Sequence, residues 1–391
     1  MRHPPLRARS DRQDVVAGSV TTLELFFDLV FVFTITQLTA TLGQDHGWAG
    51  VGRTVLLLCL MWWMYGGYAW LTNAAPPVTT FRRGCLLLGM VGNFVMALAI
   101  PHAFSTDRLV FALGYLLVAS VHSGMYLTQS ARVTAGMVVQ LIVANGVAAV
   151  LIVLGGFLGG TATYVCWVVA LLAETSLPRL ALLTPLRRLD AGPAFVLQPA
   201  HFVERHGLML IIVLGESVLA IGVGVSGGLQ TIGIAQIGFA AISLALAACL
   251  YWAYFGTAED HAAEQAMEGA TPQQRPWIAV AAYAYSFTLM LLGVVFAASG
   301  LHNALAHPSH AIDVSWASQL AGGVAAFWVG LAGFRLAIGR PGAVVRLAGG
   351  LLLVATIVLG TQVSGLVQLV ALLAGSLVIL LVERTTVPGE A

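Results

Sequence analysis

The sequence contains no lysine: its eighteen basic residues are all arginine, and charged residues make up only 9% of the 391-residue chain. Hydrophobic residues account for 59%, and the mean hydropathy is +0.89. So few charges cannot cover the surface of a soluble domain. The class this leaves is an all-α polytopic membrane protein whose first partner is the lipid bilayer. A net charge of +1 and the lack of a large basic patch argue against nucleic acid as a partner. The four cysteines, Cys59, Cys85, Cys166 and Cys249, all fall in apolar segments and form no CxxC pair, so they read as core residues. No Gly-rich phosphate loop, nucleophile elbow or HExxH is present. The sequence therefore offers no soluble catalytic domain and implies no cofactor, and an enzyme is the less favoured class. Abundant Ala and Gly beside the missing lysine suggest a GC-rich bacterial genome. Residues 1–20 are polar and arginine-rich, with no apolar stretch or small-residue cleavage site. The first membrane helix is thus expected to direct insertion without a removable signal peptide.

What the chain has in quantity is long apolar runs. Runs of about 20 apolar residues, the length that crosses a bilayer, give twelve spans. Six lie near 21–42, 53–71, 84–103, 109–129, 134–154 and 161–182. The other six lie near 202–225, 231–255, 278–300, 318–338, 343–360 and 363–382. Gly-rich breaks at 155–161, 226–228 and 360–365 read as tight hairpins. The arginines test this count. With the N-terminus inside, sixteen fall on the even-numbered connections and the termini, and only Arg53 and Arg108 on the odd-numbered ones. That asymmetry places both termini in the cytoplasm.

A Pro- and Arg-rich connection at 183–200 divides the chain into two membrane halves, 21–182 and 201–382, between tails at 1–20 and 383–391. Glu24 heads the first span and Glu204 the seventh, 180 residues on. WWMYGG (62–67) in span 2 is echoed by YWAYFG (251–256) in span 8. Six spans per half is an even number, so the halves would be parallel repeats, with substrate or ion sites at their interface.

The stretch that organises the chain is TLELFFDLVFVFTITQLT (22–39). An acid at the centre of a membrane helix costs roughly 2.5–3.5 kcal/mol on insertion scales, so one is kept where protein or water receives it. Glu24 and Asp28, four residues apart, share a helix face; Thr21 and Thr39 fall on the same side, and Gln37 points elsewhere. The seventh span, HFVERHGLMLIIVLGESVLAIG (201–222), carries Glu204, Arg205 and His206 at its edge. Glu216 lies roughly 18 Å deeper at helical rise, between Gly215 and Ser217. Other polar groups at membrane depth are His122, Asn93, Gln140, Asn145, Glu174 and Arg335. His122 could relay protons with Asp28 or Glu216. Arg335 is expected to snorkel or to pair with Glu204 or Glu24. The outer loop with His302, His307, His310 and Asp313 matches no metal spacing. The acidic stretch with Glu259, Asp260, Glu264 and Glu268 reads as a solvated short helix.

TLELFFDLVFVFTITQL, MWWMYGGYAWLTN (61–73), MALAIPHAF (96–104), HFVERHGLMLIIVLGESVLAIG and LHNALAHP together resemble the bacterial low-temperature-requirement A family, over about residues 18–382. The resemblance implies a multi-spanning bacterial membrane protein connected with growth in the cold, and its motif acids map onto Glu24, Asp28, Glu204 and Glu216. The chain departs from the family in span 4, where Ala119, Ser120 and Val121 precede His122 in place of an arginine just before the histidine.

The leading expectation is a proton- or cation-coupled secondary transporter for a small solute or ion. Asp28 and Glu216 would be its coupling carboxylates, Glu24, Glu204 and His122 would lie along the pathway, and Arg205 and Arg335 would form ion pairs. The alternatives are an ion channel built from six-helix repeats, an analogy only, and a membrane lipid-handling protein or enzyme.

Overall fold

The computed structural model describes residues 20–45, 47–128, 135–181, 197–226 and 233–386. The tail before Val20, the connection 182–196, the break after Ser226 and the side chain of Gln140 lie outside the described residues, as do the arginines on those segments. All regular structure among the described residues is helical. The first six long helices are α1 (Thr22–Gln44), α2 (Trp48–Ala74), α3 (Thr80–His102), α4 (Arg108–Leu127), α5 (Ala135–Leu158) and α6 (Gly160–Ala181). Next come α7 (Pro199–Ser226), α8 (Ile234–Tyr251, with a π-helical end at Trp252–Gly256) and the short α9 (Glu259–Gly269). The chain closes with α10 (Arg275–Ala304), α11 (Val314–Ile338), α12 (Ala343–Gln362) and α13 (Gly365–Thr386). Leaving α9 aside, these twelve helices coincide with the twelve expected apolar runs, each within a few residues of its sequence limits. Among the described residues, ten helices are long and apolar enough by composition to cross a membrane. Large apolar side chains point outward along them, with Val344 76% and Leu352 73% exposed. An apolar outer surface of this kind is what lipid, not water, stabilises.

Local chemistry sets the ends. Thr21 caps α1 by accepting from the Glu24 amide at 3.3 Å, and the Glu24 carboxylate accepts from the Thr21 amide at 2.9 Å, a reciprocal capping box. Gly159 and Gly160, at φ of +73° and +57°, turn α5 into α6 in the left-handed region where glycine is favoured. The two arginines of the odd-numbered connections are both held. Arg53 pairs with Asp45 at 2.7 Å, and Arg108 donates to the carbonyls of Gly156 and Ser105 at 3.0 and 2.5 Å.

The same pattern of neighbours occurs twice. In the first half α1 packs on α2 and α3, α3 on α4, α4 on α5, α5 on α6, and α2 on α6. In the second half α7 packs on α8 and α10, α10 on α11, α11 on α12, α12 on α13, and α8 on α13. The tightest crossings correspond as well. A Cβ on Gly92 or Gly114 would come within 3.1 or 3.0 Å of the other's carbonyl, bringing α3 and α4 into backbone contact. Gly293 and Gly323 do this for α10 and α11, at 2.6 Å each way. Small residues at such crossings replace the hydrophobic drive that lipid removes. Between the halves runs a seam in which α1 and α2 meet α7 and α10.

Cys249 is buried, while Cys59, Cys85 and Cys166 are half-buried on helix flanks and not core residues in full. The acidic stretch is helical, as α9, but Glu259 is turned inward and fully buried with Ala263 and Met267. Its expected solvation holds best for Glu268, which is exposed.

The glycine crossings give a direct test. Gly323→Leu should destabilise the purified protein by at least the roughly 1–3 kcal/mol of an overpacked core, read as a lowered thermal midpoint in detergent. Gly322→Ala, whose Cβ would meet nothing within 4 Å, should leave the midpoint in place. Equal midpoints would refute close packing of α10 on α11.

Candidate functional site

The seam buries a cluster of charges. Arg205 of α7 reaches Asp28 of α1 through Nη2 at 2.9 Å and Nε at 3.2 Å. Its Nη1 donates to Thr72 of α2 at 2.5 Å and stands 3.5 Å from Glu24 Oε1. Tyr65 of α2 donates its hydroxyl to the same Asp28 oxygen at 2.9 Å. The guanidinium also lies 5.4 Å from the Tyr65 ring and 5.6 Å from the Phe27 ring, positions where aromatic faces favour a cation. Asp28, Glu24 and Arg205 are all fully buried. In this setting a lone charge would be prohibitive, and a paired, hydrogen-bonded one is tolerated.

His201 completes the cluster, and its neighbours fix its tautomer. Asn73 is oriented by Gln198, whose amide donates to Asn73 Oδ1 and whose carbonyl accepts from Nδ2, both at 2.9 Å. Asn73 Nδ2 therefore faces His201 Nδ1 as a donor at 3.2 Å, so Nδ1 accepts and the ring proton sits on Nε2. That Nε2–H donates to Glu24 at 3.3 Å. With His201 neutral, two carboxylates face one guanidinium. With both carboxylates ionised the cluster would carry one negative charge more than it can pair, and Asp28 Oδ2 and Glu24 Oε1 have no hydrogen-bond partner.

Glu216 occupies a second place on the same seam. Its Oε2 accepts from Thr36 of α1 at 2.8 Å. No cation among the described residues pairs with it. Thr36 is eight residues beyond Asp28, about 12 Å along the helix at 1.5 Å per residue. The two acids therefore share a seam without sharing a site.

Three of the expected residues lie elsewhere. Glu204 is exposed and accepts from the Val20 amide at 3.3 Å, because it faces away from the seam that Arg205 enters. His122 joins neither Asp28 nor Glu216: its Nδ1 takes a hydrogen bond from Asn145 at 2.9 Å, and its ring packs on Tyr68 and Tyr126. Arg335 pairs with neither Glu204 nor Glu24. Its partners are Glu259 at 2.6 Å and Glu383 at 2.5 Å, since α11 ends beside α9 and α13. Arg346 binds the same two acids at 3.0 and 2.8 Å, and Arg340 approaches Glu259 at 3.4 Å. This second buried network ties α9, α11, α12 and α13 together. Among the described residues, Glu259 and Glu383 are each met by more than one guanidinium here, unlike the acids of the seam.

Several site residues were not singled out in the sequence. Thr21-x-x-Glu24 has the capping-box spacing, and His201 stands four residues before Arg205, on the same helix face. Those two signals were readable; Tyr65, Thr72 and Thr36 lie in stretches the sequence marks, but nothing local marks them as partners of the buried charges. In the outer loop the rings of His307 and His310 meet edge to face at 6.1 Å between centroids. No group of three potential metal ligands exists among the described residues.

Arg205→Ala should destabilise the protein by about 3–5 kcal/mol, the usual consequence of stranding one side of a buried ion pair. Tyr65→Phe, which removes one hydrogen bond, should cost about 1 kcal/mol, and exposed Glu204→Gln should stay within about 0.5 kcal/mol. Unfolding in detergent ranks the three; a Glu204→Gln effect as large as that of Arg205→Ala would contradict the assignment.

Comparison with known proteins supplies a family. A curated relative, an uncharacterized protein of Rhizobium meliloti (strain 1021), is 28% identical over 310 residues, covering 78% of this chain and 75% of its own. No solved structure matches. The model of the bacterial low temperature requirement A protein family matches residues 19–382, nearly the whole chain and all twelve long helices apart from the last residues of α13. By that match the chain belongs to the bacterial low-temperature-requirement A family.

Proposed function

We propose that this protein is a secondary transporter that couples movement of a small solute or ion to protons or a small cation. The coupling carboxylates are Asp28, with Glu24 beside it, and Glu216, on the seam between two parallel six-helix repeats. One observation carries the reading: the seam buries Glu24 and Asp28 against a single guanidinium, with His201 held neutral by Asn73, and buries Glu216 further along with no cation beside it among the described residues. An acid excess in a low-dielectric seam demands a bound proton or cation. The carboxylate oxygens left without a hydrogen-bond partner are Asp28 Oδ2 and Glu24 Oε1. A site whose charge balances only when occupied is suited to coupling. The reading is further supported by the repeated neighbour pattern and the twin glycine crossings, which suit two rigid halves rocking about a central site. Both termini are read as cytoplasmic in the bacterial inner membrane, from the arginine asymmetry.

Reconstituted proteoliposomes with an internal pH dye test the proposal. Under an imposed potential, wild type should pass protons when a transported solute is added. Asp28→Asn and Glu216→Gln should abolish that flux while keeping wild-type yield in the membrane. Solute-independent flux at high rate would favour a channel. Full flux in both variants would remove the carboxylates from the mechanism.

A further inference from the structure

Beside the charged cluster, the seam opens into a cavity of about 200 Å³. It lies between the halves, with walls from α2, α4, α5 and α6 on one side and α7 and α10 on the other. Its walls are mainly aromatic: Trp62, Trp63, Trp70, Phe202 and Tyr283 all line it. No arginine is among its lining residues, and the chain has no lysine. The one carboxylate is Glu174 of α6, 1% exposed. Glu174 Oε1 accepts from the Tyr115 hydroxyl behind the wall, while Oε2 is buried with no hydrogen-bond partner.

The backbone at this point departs from the α-helix. Residues Val280–Ser286 of α10 form a π-helix, and Val280, Tyr283 and Ala284 from that segment face the cavity. Widened turns of this kind are rare and recur at functional sites. The Tyr283 carbonyl accepts from Trp62 Nε1 at 3.2 Å, so the π segment and the aromatic wall are held as one unit. On the first half, Gly67 makes room for His122: a Cβ there would meet the imidazole Nε2 at 2.8 Å. The cavity is thus maintained by specific contacts on both sides of the seam.

We infer that this cavity binds a small organic cation, of the quaternary or alkylammonium class, between the indole walls and the Glu174 carboxylate. Aromatic faces attract a cation by their quadrupole, and they do so most strongly when it is desolvated. A methylated ammonium loses less hydration than a bare one on entering such a cage. A buried carboxylate in the same lining, with one oxygen unpartnered, supplies the counter-charge. The competing occupant, a neutral apolar molecule or lipid tail, would gain nothing from Glu174. As a binding site the cavity stands by itself; as the place where the transported solute sits, it rests on the transport reading above.

The test is isothermal titration of the full-length protein in detergent with choline and with its uncharged isostere 3,3-dimethylbutan-1-ol. Choline should bind saturably and at least about tenfold more tightly than the isostere. Glu174→Gln should remove that preference, and Trp63→Ala should weaken choline binding while leaving the Glu174–Tyr115 contact intact. Should Glu174→Gln fail to fold, the Trp63→Ala result and the isostere comparison still decide. Equal affinity for the two ligands, or no binding of either, would overturn the inference. Choline binding in a protein that passes no protons would sink the transport reading and leave this site standing. Proton flux without choline binding would do the reverse.

Discussion

The Asp28–Arg205 pair is the interaction on which the architecture of the seam depends. Neither residue could stay ionised alone at its depth in the bundle. Placed on α1 and α7, the first helix of each half, the two charges make a contact that requires both halves to be present and in register. The partners that make it tolerable come from α2: the Tyr65 hydroxyl on Asp28, Thr72 under the guanidinium, and Asn73 directing His201 onto Glu24. The aromatic run of α2 therefore has two faces of use. One satisfies the ion pair, and the other, through Trp62, Trp63 and Trp70, walls the neighbouring cavity.

The two buried charge networks differ in a way that separates fastening from chemistry. Around Arg335 and Arg346 every carboxylate is bound by at least two guanidiniums, and the elements joined all belong to the second half. That network fastens α9, α11, α12 and α13. The seam cluster has surplus acid, an open oxygen on Asp28, and partners from both halves.

Sequence alone made the class and the span limits legible, because bilayer thickness writes itself as runs of apolar residues and the arginines mark their ends. Asp28 and Glu216 stood out for the same reason, each a charge where charge is costly. Pairing was another matter. Arg335 was assigned to the wrong acids, and Glu259 to solvent, because a helix end carries no sequence record of which distant helix lies beside it. Glu24 was read as an intramembrane acid, although Thr21 three residues earlier marks it as a capping residue with a second task. His122 was legible as buried but not as a neighbour of Asn145, a contact set by the crossing of α4 and α5. Glu174 is legible only as one polar group at membrane depth, and its place in an aromatic cavity needs six helices to define.

The central claim is that Asp28 and Arg205 act as one buried unit across the two halves, and a double-mutant cycle on unfolding in detergent tests it most directly. Asp28→Ala, Arg205→Ala and the double variant would be compared with wild type. If the pair is the unit described, the double variant is less destabilised than the sum of the single ones by about 2–3 kcal/mol, since removing both charges strands neither. Additivity within about 0.5 kcal/mol would mean that the two charges do not depend on each other, and the account of the seam would fail.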